Sequence, residues 1–341
     1  MKRIWITLPI IVCLAGLAVV GLRSSSIDGL RVGKEDAGSP HSALAGKRLL
    51  FVNSYHEGYP WSDGIEQGLR EVLSGTGVEV RTVAMDTKRR ANAVHAANVT
   101  RELLALIERW QPHVMIAADD NASRYVIAPH FRDAELPVVF CGVNWDASMY
   151  GYPFTNTTGM VEISLVSDLI RTMEAWSAGS RIGFLGADNL SNRKEEMNYR
   201  AKLGIELQEV VFVSGLDEWK QSFLDLQSKV DMLLIAPPSF VSTSEEQADL
   251  VEFVRRETQV PTGCVEDWIA PYCLFGYTKV AEEQGEWAAE TALRILGGAS
   301  PAQIDVVTNE RGVLHLNLPI AARLGIEFPA SLLDEAVVID G

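Results

Sequence analysis

The chain has 341 residues, 47% of them apolar and 22% charged, which is too long for one small core and too apolar for a disordered chain. A formal net charge of −15 excludes the basic surface that a nucleic-acid partner requires. Two folded domains of ordinary size are expected.

Lys2 and Arg3 precede an uncharged run over 4–22, followed by Arg23 and three serines. That pattern assigns 1–23 to a signal peptide or a membrane anchor, and the bulk of the chain to the extracytoplasmic side. Ile10, Ile11 and Val12 before Cys13 lack the small residue of a lipobox. Residues 24–46 carry Gly, Ser, Pro and charges without periodicity and read as a linker. Three further cysteines, Cys141, Cys264 and Cys273, are an odd number for an exported protein. Either Cys264 pairs with Cys273, or all three are buried thiols.

From residue 47 strand and helix signals alternate. Strands are expected at 47–52, 78–84, 113–118 and 136–141, with helices at 61–73, 91–110 and 121–131 between them. The apolar run Leu49-Leu50-Phe51-Val52 stops in Asn53-Ser54-Tyr55-His56-Glu57-Gly58-Tyr59-Pro60-Trp61, after which Ile65, Leu69 and Val72 keep helical spacing. A looser stretch over 147–159 follows, and a second run begins. Helices are expected at 165–176, 194–203, 219–230 and 245–257, with strands at 181–186, 206–213, 232–236 and 260–265. A helix at 282–296 closes on Gly297-Gly298. Strands at 304–307 and 312–316 and a short helix at 319–324 complete the chain. The alternation predicts two Rossmann-like α/β lobes with parallel sheets. Lobe 1 is placed at 47–158 plus 275–305, lobe 2 at 159–274 plus 306–341. Three crossings between them would form a hinge that closes around a ligand.

The stretch from Asn53 to Trp61 resembles the opening motif of bacterial ABC-transporter substrate-binding proteins of the type I periplasmic binding fold. It is also similar to sensor domains fused to histidine kinases and diguanylate cyclases. Ala118-Asp119-Asp120-Asn121-Ala122, Val139-Phe140-Cys141-Gly142-Val143-Asn144, Ala292-Leu293-Arg294-Ile295-Leu296-Gly297-Gly298, Asn317 and Leu324-Gly325-Ile326-Glu327-Phe328-Pro329 carry the resemblance to the C-terminus. It implies capture of a small solute by hinge closure and delivery to an ABC permease. The alternative is a sensing subunit that signals to a separate membrane kinase or cyclase. No kinase, cyclase or transporter domain, no cofactor and no metal are expected, and the protein is expected to be a monomer or weak dimer. Some relatives bind aromatic amino acids.

In open α/β sheets ligands sit beyond the carboxyl ends of the strands, which places five groups at a cleft. The first is Asn53, Ser54, Tyr55 and His56, with Tyr59 and Trp61. The second, Asp119, Asp120 and Asn121, opens a helix; one carboxylate suffices for a cap, so the other is free to receive an ammonium or hydroxyl. The third is Asn144 and Trp145, where the indole either stacks on a ligand or packs the hinge. The fourth is Asp188 and Asn189 with Pro238 and Ser239. The fifth is Glu266, Asp267 and Trp268, whose acidic pair repeats that of the first lobe. Acidic and aromatic groups together favour an amino acid, an amine or a heterocycle. The sequence has no GxSxG, GxxxxGK[ST], GxGxxG or HExxH pattern, and its six histidines are scattered. An enzyme is not expected.

Overall fold

The computed structural model describes residues 44–341. The expected signal or anchor and nearly all of the linker lie outside the described residues.

The first sheet holds β1 (Arg48–Asn53), β2 (Glu79–Ala84), β3 (Val114–Ala118), β4 (Val138–Asn144), β5 (Thr157–Glu162) and β11 (Val307–Thr308), in the order β11-β5-β4-β3-β1-β2. Every pairing in it is parallel. Buried on both faces, β1 has no polar side: Leu49 and Phe51 join one apolar cluster, Leu50 and Val52 another. The first cluster is completed by α1 (Pro60–Leu73) and α9 (Ala281–Leu296), the second by α2 (Ala93–Trp110). The α1 and α9 backbones touch at two glycines. A Cβ on Gly68 would stand 2.2 Å from the Glu282 carbonyl oxygen, and one on Gly285 1.9 Å from that of Ile65.

The second sheet holds β6 (Ile182–Ala187), β7 (Glu209–Val213), β8 (Met232–Ile235), β9 (Thr262–Cys264), β10 (Phe275–Lys279), β12 (Gly312–Asn317) and β13 (Val337–Ile339). Its order is β13-β12-β10-β9-β8-β6-β7. Around it lie α5 (Val166–Glu174), α6 (Leu190–Leu203), α7 (Leu216–Gln227), α8 (Ser244–Glu257), α10 (Leu318–Leu324) and α11 (Ala330–Glu335). This sheet is mixed rather than all parallel, because β12 returns antiparallel to β10.

The lobe boundaries differ from the expected ones. Residues 157–162, with 157–159 expected at the end of a loose stretch and 160–162 in no element, form β5 of the first sheet; threonine and glycine hid a strand buried at every position. Residues 275–279, assigned to the first lobe, form β10 of the second sheet. The chain therefore crosses between sheets after β5, after β10 and after β11. The crossings are laced together. Asn309 accepts the Ile163 N–H at 2.7 Å and donates to its carbonyl at 3.2 Å. Glu283, at the start of α9, accepts the N–H groups of Glu310 and Arg311 at 2.9 and 3.0 Å.

Cys141, Cys264 and Cys273 are free and buried, so the expected alternative of a 264–273 disulfide is not realised here. No helix of the described residues is long and apolar enough to cross a membrane.

Candidate functional site

The β1 loop turns sharply because Asn53 accepts the Tyr55 N–H at 2.8 Å. Ser54 is fully buried and donates to the Ala118 carbonyl while accepting the Ala122 N–H. It clamps β1 to α3 (Asp119–Ala122), a helix that runs on through a π turn at Ser123–Ile127 into α4 (Ala128–His130). Tyr55 and Tyr59 meet edge to face at 5.2 Å, and Lys88 lies 3.8 Å from the Tyr59 ring centroid and bonds its hydroxyl. Nδ1 of His56 stands 3.8 Å from Asp86.

The acidic pair of the first lobe divides its roles. Asp119 is 1% exposed, sits at φ 67°, and accepts the Trp61 indole N–H at 3.0 Å through Oδ1; Oδ2 is buried with no partner among the described residues. Burial, with Glu162 nearby, holds its pKa well above the carboxylate range. Asp120 accepts from Asn144 at 2.7 Å and from the Tyr150 hydroxyl at 2.8 Å, both within the first lobe. Asn121 donates to Thr87 at 2.9 Å.

Trp145 reaches the other lobe. Its backbone sits at φ 59°, its indole packs on the apolar cluster of the second lobe, and Nε1 donates to Glu195 of α6 at 3.1 Å. The other Glu195 oxygen accepts the Ser164 hydroxyl at 3.0 Å. Next to it Asp146 meets Lys202 at 2.6 Å. Of the two readings weighed for Trp145, these contacts describe interlobe packing.

At the hinge, strand ends from both lobes converge on one lysine. Lys279, last in β10, lies 2.6 Å from Glu162, last in β5, and 3.9 Å from Glu266; it also stands 5.5 Å from the Trp61 ring. Burial alone would lower the Lys279 pKa, but Glu162 and Glu266 outweigh it and hold it above its ordinary value. Burial raises Glu162 despite Lys279. It pushes Glu266 up to about 7, opposed by Lys279 and aided by Glu162, Glu195 and Asp267.

Beside Glu266 the second lobe holds a partly open cavity of about 180 Å³. Leu169, Phe184, Leu234 and Val265 are among its apolar walls; Glu195, Glu266, Asn192 and Trp268 also line it. Trp268 is 62% exposed. Asp188 is held by Arg193 at 2.7 and 2.9 Å, which keeps its carboxyl below the usual range. Asn189 caps α6 and donates to Ser239 at 3.1 Å, while Pro238 is buried and Asp267 exposed. Asp188, Asn189, Pro238, Ser239 and Asp267 stand beside the cavity in sequence without lining it. A larger open groove of about 1060 Å³ follows α1 and the β2 edge; Asn53 lines it, and none of Glu162, Glu266 and Lys279 does.

Sequence reasoning missed Glu162, Lys279 and Glu195. The first two end strands that composition concealed. Glu195 sits mid-helix, where a carboxylate looks like ordinary solvated surface. Among the described residues no group of His, Cys, Asp and Glu is placed to hold a metal ion.

The sequence matches the family model described as ABC transporter substrate binding protein over residues 58–339. Comparison with curated proteins gives no match. Among solved structures, the ligand-free, open form of CD0873 from Clostridium difficile, a substrate binding protein with adhesive properties, is 16% identical with a TM-score of 0.66, covering 86% of this chain and 99% of that one. An ABC domain from Streptococcus pneumonia, solved in complex with L-Trp, is 18% identical with a TM-score of 0.52, covering 86% and 100%. A conserved domain protein from Vibrio cholerae is 18% identical with a TM-score of 0.54, covering 86% and 99%. At these identities the likeness is one of fold.

Proposed function

This chain belongs to the ABC transporter substrate-binding protein family, and from that premise we propose that it captures a small solute between its lobes and delivers it to an ABC permease. Members of this family bind solutes rather than transform them, and they work outside the cytoplasm. The periplasm or the extracytoplasmic membrane surface of a bacterium is the proposed setting. Amino acids, amines and heterocycles are the favoured solutes, on the strength of the acidic and aromatic residues around the hinge.

The observation that carries the reading is the convergence at Lys279. Carboxyl ends of strands from two separate sheets meet there, beside the three crossings, so a bound molecule touches both lobes and senses their angle. A ligand that contacts both lobes only when they are closed stabilises the closed state by that difference in affinity. Small-angle X-ray scattering of the full chain, with and without each solute class, tests this. A smaller radius of gyration with one class supports capture by closure. Stimulation of a reconstituted permease's ATPase by the closed form then supports transport; closure without any such stimulation favours the sensing subunit.

A further inference from the structure

The cavity beside Glu266 lies wholly within the second lobe, and its chemistry is more specific than that of the cleft as a whole. Resting on the solute-capture reading above, we propose that it is a subsite for an organic monocation. The ligand is a primary ammonium attached to one ring or one short branched alkyl group. Its apolar part fills the cavity, and the ammonium is held by Glu195 and Glu266 with Trp268 at the rim.

Size comes first. A buried apolar cavity of about 150 Å³ holds benzene, so about 180 Å³ accommodates a single ring or its aliphatic equivalent. The lining is apolar at Val166, Leu169, Phe184, Leu234, Ile235 and Val265. Such walls reward an apolar occupant and penalise one with polar groups that find no partner.

Charge comes second. The lining contains two carboxylates and no lysine or arginine. The nearest cation to Glu266, Lys279, is 3.9 Å away and is engaged at 2.6 Å by Glu162. Glu195 uses one acceptor site on each oxygen, for Trp145 and Ser164, which leaves further lone pairs on both. Glu162 and Glu266 therefore share one lysine, Glu195 is bonded by neutral donors, and the site lacks a positive charge. The rise of Glu266 to about 7 under burial, with Glu162, Glu195 and Asp267 facing it and Lys279 opposing, is the response of a carboxylate without a full counter-ion.

Third is Trp268. It lines the mouth of the cavity and is 62% exposed, and the face of an indole attracts a cation brought against it. The first turn of α6, which contributes Ser191 and Asn192, is the feature of the lining that would favour an anion. The Asn192 N–H is already taken by the Asn189 side chain at 2.9 Å. A ligand carboxylate placed there would face Glu195 on the same helix. The geometry thus selects an amine over the corresponding amino acid.

The test uses the purified full chain, dialysed free of carried ligand, and three probes that share one ring. These are phenethylamine, the neutral 2-phenylethanol and L-phenylalanine, which adds a carboxylate. Calorimetric titration is expected to show phenethylamine binding at least tenfold more tightly than either of the others. Glu266→Gln and Glu195→Gln are each expected to weaken it at least tenfold while leaving 2-phenylethanol unchanged. Ala236→Leu, which fills the cavity from its wall, is expected to abolish binding of all three, with circular dichroism confirming the fold. Tighter binding of L-phenylalanine, unchanged affinity in both glutamine variants, or unchanged affinity in Ala236→Leu overturns the subsite. Failure of phenethylamine to bind, in a protein that another solute still closes, overturns the subsite and leaves solute capture standing.

Discussion

Replacing Lys279 by methionine tests whether the hinge rests on a buried ion pair. The Lys279 and Glu162 side chains are 11% and 8% exposed and lie 2.6 Å apart. In an effective dielectric of about 20 that separation corresponds to an attraction of about 6 kcal/mol. Part of it offsets the desolvation of the lysine, which the apolar methionine does not suffer. What remains is the usual cost of leaving one buried charge alone, about 3–5 kcal/mol. Urea unfolding followed by circular dichroism at pH 7 should register that loss. The loss should shrink at pH 5, because Glu162, already raised by burial and now without its lysine, takes up a proton. Adding Glu162→Gln to Lys279→Met should restore at least half of it. A loss below about 1 kcal/mol, the range of solvent-screened surface pairs, would refute the argument.

Three further outcomes follow from named contacts. Gly285→Ala gains about 1 kcal/mol of helix propensity but sets its Cβ 1.9 Å from the Ile65 carbonyl oxygen, where backbone cannot yield cheaply. A net loss of about 2 kcal/mol from overpacking is expected, and an unchanged or raised unfolding midpoint would contradict the α1–α9 packing. Trp145→Ala removes the indole that bonds Glu195 and packs on the second lobe. Scattering should then show a larger radius of gyration without ligand, and an unchanged one would mean the indole does not hold the lobes together. Glu266, raised from 4.5 to about 7, keeps its proton in the native state over a window where the unfolded chain has lost it. Its stabilising contribution is thus present below 4.5 and lost as pH rises through 7, whereas affinity for an ammonium moves oppositely and falls as pH drops through 7. Glu266→Gln should flatten both profiles; profiles that match the wild type would remove Glu266 as their source.

The alternation of strands and helices was legible because β1, β3 and β4 of the first sheet are buried on both faces and read as plain apolar runs. The unit from β1 to α1 is the clearest case, with Leu49 to Val52 ahead of helically spaced Ile65 and Leu69. β5 was not legible, since Thr157-Thr158-Gly159 carries little apolar signal and is buried by its neighbours in the sheet rather than by its own composition. β10 was obscured by Gly276 and Lys279, a glycine and a charge in a short strand. The site divided in the same way. Strand-end positions single out candidate residues in the sequence, but hydrogen bonding decides what each one does, and sequence carries no partner information. Ser54 stands at the end of β1 and is wholly engaged inside the first lobe. Glu195 stands in mid-helix and faces the cavity, because the α6 face that carries it with Tyr199 and packs toward Trp145 is set by the tertiary fold.

The most direct test of solute capture is a thermal-shift screen of the protein after unfolding and refolding to strip any carried ligand. The panel holds amino acids, amines, nucleobases, sugars and peptides. A solute that binds only the folded state at a hundredfold excess over its dissociation constant adds about 2.7 kcal/mol. The account predicts a raised midpoint from one chemical class, with amines or amino acids foremost. A refolded protein whose midpoint responds to no class would contradict it.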